Sequence, residues 1–136
     1  MSDNDGLSQA LTPMLAVRDA AAAIDFYKTA LGAKEVGDRH VWEGKIGHAE
    51  LQIGGARVML ADEFDGHNHS PAQLGGTAVI LHLLVADCDR STAAAAAAGA
   101  EVIREPQDAP YGRVCKLRDP FGHVWMLNGP LAGSSS

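Results

Sequence analysis

Hydrophobic and polar positions change their spacing several times along the chain, and each change predicts an element. Residues 11–17, LTPMLAV, form a short apolar run that reads as a strand, with Pro13 suiting a sheet edge or a strand start. Asp19 then opens a helix over residues 20–31, where Ala23, Ile24, Tyr27, Ala30 and Leu31 recur at helical spacing. Gly32 is placed to close that helix in a left-handed cap. Three strands follow over 34–42, 46–53 and 57–61, with Glu43-Gly44 and Gly54-Gly55 as the hairpin loops between them. Residues 62–76, DEFDGHNHSPAQLGG, have no periodicity and the Gly, Pro, Asn and Asp content of a connection.

The order then repeats. A strand is predicted over 78–85, a helix from about 89 to 98 ended by Gly99, and strands over 101–104, 113–117 and 123–128. Asp119, Pro120 and Gly122 occupy the first, second and fourth places of a tight turn before the last strand. Beyond it Val124, Trp125, Met126 and Leu127 are apolar without alternation, which predicts a strand covered on both faces. Val17 and Asp19 recur as Val85 and Asp87, and Gly32-Ala33 with Glu35-Val36 recurs as Gly99-Ala100-Glu101-Val102. Each half therefore reads as strand, helix, strand, strand, strand.

One helix covers only one face of such a sheet. Two halves side by side, with helices outside and curved mixed sheets around a cleft, give an α+β fold of two βαβββ modules. The expected division is a flexible leader over 1–10 and one domain over 11–128, followed by a flexible tail over 129–136. Within the domain, module one spans about 11–62, the linker 63–77 and module two about 78–128.

Alternation assigns the faces. Ala49, Leu51 and Ile53 suit the helix side of their strand, which turns His48, Glu50 and Gln52 the other way. The same rule puts Val79, Leu81, Leu83 and Val85 under a helix and Ile80, His82 and Leu84 on the inner face, together with Thr12, Met14, Ala16, Val124 and Met126. The candidate lining is thus Met14, Met59, Ile80 and Met126 with Thr12, His48, Glu50 and His82, a setting for a small organic molecule with one or two polar handles. Trp42 and Tyr111 are aromatic candidates for the cleft mouth. The plainer account makes the methionines core filler and the histidines locally hydrogen-bonded.

Composition narrows the partners. A net charge of -6 without a Lys/Arg cluster argues against nucleic acid, and no apolar run is long enough to cross a bilayer. The polar start MSDNDG lacks the regions of a signal peptide, so a cytoplasmic location is expected. Cys88 and Cys115 lack the spacing of a disulfide framework or a zinc site and read as small buried hydrophobes. His67 and His69, in GHNHS, read as surface-loop residues.

With the repeat, the Asp-Pro-Phe-Gly-His turn, GKIGHAEL and the stretch from Leu15 to Ala33 in hand, the chain resembles the vicinal oxygen chelate superfamily. The likeness is to its glyoxalase, bleomycin-resistance-like and dioxygenase-like branch. That resemblance implies the paired-module fold and a homodimer. It also implies, in the metal-dependent members, ligands on the first and last strands of each module. The equivalent places here hold Thr12, Ile80, Met126 and about Met59 or Leu60, which offer none of the donors such sites use. The expectation is therefore a protein that binds a small organic molecule between the modules with no metal and no other cofactor. The alternative is an enzyme of the family, a lyase or isomerase in preference to a dioxygenase, with Glu50, His48 and His82 as acid-base groups or non-standard metal ligands.

Overall fold

The computed structural model describes residues 11–131, so the leader expected over 1–10 and the tail beyond 131 lie outside the described residues. The first half runs β1 (Met14–Val17), α1 (Ala20–Leu31), β2 (Lys34–Glu35), β3 (His40–Trp42), β4 (Lys45–Ile53) and β5 (Ala56–Asp62). A short helix, α2 (Pro71–Leu74), lies in the connection. The second half runs β6 (Ile80–Leu84), α3 (Cys88–Ala97), β7 (Glu101–Ala109), β8 (Gly112–Arg118) and β9 (Val124–Gly129).

The repeat is visible in the local chemistry as well as in the order. Asp19 accepts from the Ala22 amide at the start of α1, and Asp87 accepts from the Arg90 amide at the start of α3, each at 3.1 Å. Gly32 ends α1 at φ 68, a left-handed conformation that costs glycine nothing. The sheets have the orders β1-β5-β4-β2, with β3 also on β4, and β6-β9-β8-β7. β1 runs parallel to β5 and β6 runs parallel to β9, while the remaining pairs are antiparallel. The expected α+β fold of two βαβββ modules is the one observed.

Several boundaries differ from the sequence reading by a few residues, the strands expected over 11–17 and 78–85 being Met14–Val17 and Ile80–Leu84, and three further differences have a local reason. The strand expected over 34–42 is broken, because Gly37 turns the chain at φ 69 and Arg39 bonds back to Glu35 at 2.8 Å. The strand expected to stop at Arg104 continues to Ala109 through two irregularities and past Pro106. It is tolerated there because β7 is the sheet edge, where a missing N–H removes no ladder bond. Gly129, assigned to the tail, closes β9.

Leu15, Val17, Leu51 and Leu60 from the first sheet join Cys115, Leu117, Trp125 and Leu127 from the second in one core with the buried faces of α1 and α3. The two helices touch each other. From α1, Tyr27 reaches across to the second module, its ring 5.6 Å from Trp125, and its hydroxyl donates to Asp119. Each helix covers one face of its own sheet, and the other face of each sheet is turned away from the shared core. The two inner faces expected to line one cleft are therefore not set opposite each other within a chain. For the same reason β9 is covered on one side only: Trp125 and Leu127 are buried, while Val124 and Met126 on the open side are half-buried.

Candidate functional site

The register of the strands places each side chain on the open faces. On the first sheet Met14 lies opposite Met59, and Met59 opposite Glu50, so the three form one row across β1, β5 and β4. Arg57 and Gln52 are opposite one another in the next row, and the Arg57 guanidinium binds the Glu50 carboxylate. His48 is opposite His40 on β3, with the two rings 5.8 Å apart. A depression of about 340 Å³ lies beside this row, bordered by Met14, Trp42, Ala61, Phe64, His67 and Asn68.

Trp42 and Phe64 hold the rim of that depression, with ring centres 5.3 Å apart and the Lys45 ammonium 5.1 Å from the Phe64 centre. Asn68 fixes the loop by accepting from the Phe64 amide at 2.7 Å and donating to the Asp62 carbonyl at 3.1 Å. Asp62 in turn accepts from the amides of Ala20 and Ile46, each at 2.8 Å, tying the start of α1 to the start of β4. Neither Phe64 nor Asn68 was a sequence candidate. The lone aromatic in an otherwise polar connection was the available signal. His67, read as a plain loop residue, borders the depression while remaining exposed.

On the second sheet Ile80 is opposite Val124, His82 opposite Met126 and Leu84 opposite Asn128. The buried Asn128 amide donates to His82 Nε2 at 3.2 Å. Lys116 lies opposite Met126 on β8, and Arg104 opposite Lys116 on β7. Both basic residues were missed because the sequence reading stopped at the apolar members of these strands.

Of the candidate residues, the structure thus groups Met14, Met59, Glu50 and His48 on one face, with Trp42 beside them, and Ile80, His82 and Met126 on the other. Thr12 borders a depression of about 390 Å³ between the modules, together with Arg57, Leu81, His82 and Trp125. His82 is not brought to Glu50 and His48, which sit on the other sheet. Tyr111 is 64% exposed at the β7–β8 turn and borders none of the depressions described here. A further cavity, about 750 Å³, is bordered chiefly by Leu11, Pro13, Met14, Leu74, Val79 and Leu81, with Asn68, His69, Thr77 and His123 as its polar members.

The positions that match the metal ligands of the family the chain resembles carry other groups here. Thr12, Met59, Ile80 and Met126 provide a hydroxyl, two thioethers and an alkyl chain where carboxylate or imidazole donors would be needed. Among the described residues no three His, Cys, Asp or Glu side chains are grouped to hold a metal ion. No described helix is long and apolar enough to cross a membrane.

Comparison with known proteins agrees with the topology. The model of the Glyoxalase/Bleomycin resistance protein/Dioxygenase superfamily matches residues 9–127. The chain is 44% identical over 127 residues to the uncharacterized protein Rv0887c of Mycobacterium tuberculosis, covering 90% of this chain and 75% of that one. Among solved structures it is similar to TioX from Micromonospora sp. ML1, with 31% identity, a TM-score of 0.71 and coverage of 91% of this chain and 100% of that one. It is also similar to TnmS3, an antibiotic binding protein from Streptomyces sp. CB03234, with 26% identity, a TM-score of 0.68 and coverage of 91% and 97%.

Proposed function

The chain belongs to the glyoxalase/bleomycin resistance protein/dioxygenase superfamily, and from that premise we propose that it binds a small, largely apolar organic molecule on its open sheet faces without a divalent metal. The observation that carries this reading is the pairing of Met14 with Met59 and of Met126 with His82 on the sheet faces that the helices do not cover. Thioethers adapt to irregular apolar ligands, and the nearby Trp42–Phe64 pair offers a flat aromatic surface. The similarity to TnmS3, an antibiotic binding protein, supports the same class of ligand.

A second copy of the chain completes the site in this proposal. Leu11, Met14, Leu74, Val79 and Ile80 are between 47% and 96% exposed, and four of them border the cavity of about 750 Å³. Contiguous exposed apolar surface of this kind is characteristic of an interaction surface. Association of two copies would bring an open first sheet opposite an open second sheet and enclose the ligand between them. The enzymatic alternative has less support, because Glu50 is engaged by Arg57 and His82 stands on the other sheet.

The test is a thermal-shift and calorimetric screen of chelator-treated protein against aromatic antibiotics and related natural products. At least one compound is expected to raise the melting temperature equally with and without chelator, and Met59→Asp to abolish the effect. A broad panel without a binder, or binding that vanishes on chelation, would overturn the reading.

A further inference from the structure

Resting on the reading that the open faces carry the ligand, we propose that the second sheet recognises an oxyanion, such as a carboxylate, phosphate or sulfonate, on an otherwise apolar molecule through Arg104, Lys116 and His82. The register sets these residues in one row: Arg104 opposite Lys116, Lys116 opposite Met126, and Met126 opposite His82. At ~4.8 Å between neighbouring strands the row spans about 14 Å, the length of a small organic molecule.

Two cations directly opposite each other on adjacent strands repel. Among the described residues no other two cations stand opposite each other across strands, and of the remaining cations only Lys34, Lys45 and Arg90 lack a carboxylate within 4 Å. Arg18, Lys28, Arg39, Arg57 and Arg113 each stand within 4 Å of a carboxylate. Arg118, one row from the pair, is bound to Glu101 at 2.7 Å. Among the described residues no carboxylate pairs with Arg104 or Lys116, and Glu105, next to Arg104 in sequence, binds neither. In a chain with a net charge of -6 and acids to spare, an uncompensated pair on an open face calls for an anion from outside.

His82 adds a polar group to the row. Its Nε2 lies 3.2 Å from the buried Asn128 amide, which leaves Nδ1 as the ring nitrogen that faces a ligand. The ground around the row is mixed: Met126 lies within it, Ile80 and Val124 flank one side together with the Arg118–Glu101 ion pair, and Leu84, at 76% exposure, flanks the other beside Asn128. Cations beside apolar side chains match an acidic head on a hydrophobic body. A lone row of this kind, with no run of basic residues, does not match a polyanion.

Matched fluorescent probes test this: the anion anilinonaphthalene sulfonate and the neutral N-phenylnaphthylamine, titrated into the full chain. The wild type is expected to bind both. Arg104→Ala combined with Lys116→Ala should weaken the sulfonate about tenfold or more, in keeping with the loss of charge-assisted hydrogen bonds, and leave the neutral probe within about twofold. Arg104→Lys with Lys116→Arg should keep the sulfonate bound, as should Arg90→Ala, which removes a cation from α3. If both probes bind and the double alanine variant holds the sulfonate as tightly as the wild type, the anion inference falls while the open-face reading stands. A double variant that loses self-association with sulfonate affinity unchanged would assign the cations to the contact between copies and also overturn the inference. If neither probe binds the wild type, the open-face reading falls and the inference goes with it.

Discussion

Asp119 is 4% exposed, and four donors converge on its carboxylate. The amides of Phe121 and His123 reach Oδ1 at 2.9 and 3.0 Å, while Trp125 Nε1 at 3.0 Å and the Tyr27 hydroxyl reach Oδ2. Burial, and then the charge of Asp119, push the Tyr27 phenol well above its ordinary range, so it is a donor to Asp119 at neutral pH. Asp119→Ala would strand these donors in the core and is expected to cost about 3–5 kcal/mol in urea unfolding, against about 1–2 for Tyr27→Phe. Equal losses from the two changes would contradict the hub. At Cys88, burial and then the neighbouring Cys115 push the thiol from 9.0 up to about 11. The folded thiol holds its proton more tightly than the unfolded one, so its contribution is complete below about pH 9 and is lost as pH rises towards 11. Urea midpoints compared at about pH 8 and about pH 10.5 should fall in the wild type and fall less in Cys88→Ala. Both thiols should resist a disulfide reagent until the chain is unfolded, since both are buried.

At the scale of elements, the Asp-Pro-Phe-Gly turn was legible because each residue type is demanded by the turn itself, and the structure bears it out: the Gly122 amide donates to the Asp119 carbonyl at 3.0 Å. What the turn touches was not legible. α2 is only Pro71–Leu74, with the buried Ser70 capping it and no helical periodicity to announce it. It packs against the turn so closely that a Cβ on Gly122, whose φ is +94, would stand 2.8 Å from the Pro71 Cβ. Proline is rigid, so the clash cannot be relieved by rotation. Gly122→Ala is therefore expected to destabilise by about 2 kcal/mol, more than a positive φ alone would cost, and Pro71→Gly in the same chain, which removes the opposing Cβ, should recover part of the loss. Additive effects of the two substitutions in urea unfolding would deny the contact. Along the strands, alternation assigned the faces of His48, Glu50, His82 and Met126 correctly. It carried no information on which cations share a row, because register across strands is set by pairing and bulges, and β7 shifts register twice beside Arg104.

For the whole molecule the duplication was readable from matched residues, and the parallel pairs β1–β5 and β6–β9 reproduce it. How the halves meet was not, because either packing of two half-covered sheets satisfies the same alternation. The choice is made by side chains far apart in sequence: Phe26 and Tyr27 on α1 lie 6.1 and 6.3 Å from Phe121, and His123 Nε2 lies 3.0 Å from the Ala16 carbonyl. Those contacts draw the helix-covered faces together and leave Met14, Val79, Ile80 and Leu84 outward, at exposures of 53%, 62%, 47% and 76%. A chain that keeps so much apolar surface in water gains by covering it, at about 25 cal/mol for each Å² removed. If a second copy is that cover, the melting temperature should rise with protein concentration, since dimer formation draws on the folded state alone. Val79→Asp, at the rim of the large cavity and outside the core cluster, should then shift sedimentation towards the monomer and flatten the concentration dependence without lowering the monomer's own stability. A wild type that sediments as a monomer at every concentration, with a melting temperature that does not move, would leave the two open faces as independent half-sites and remove the enclosed cleft from the proposal.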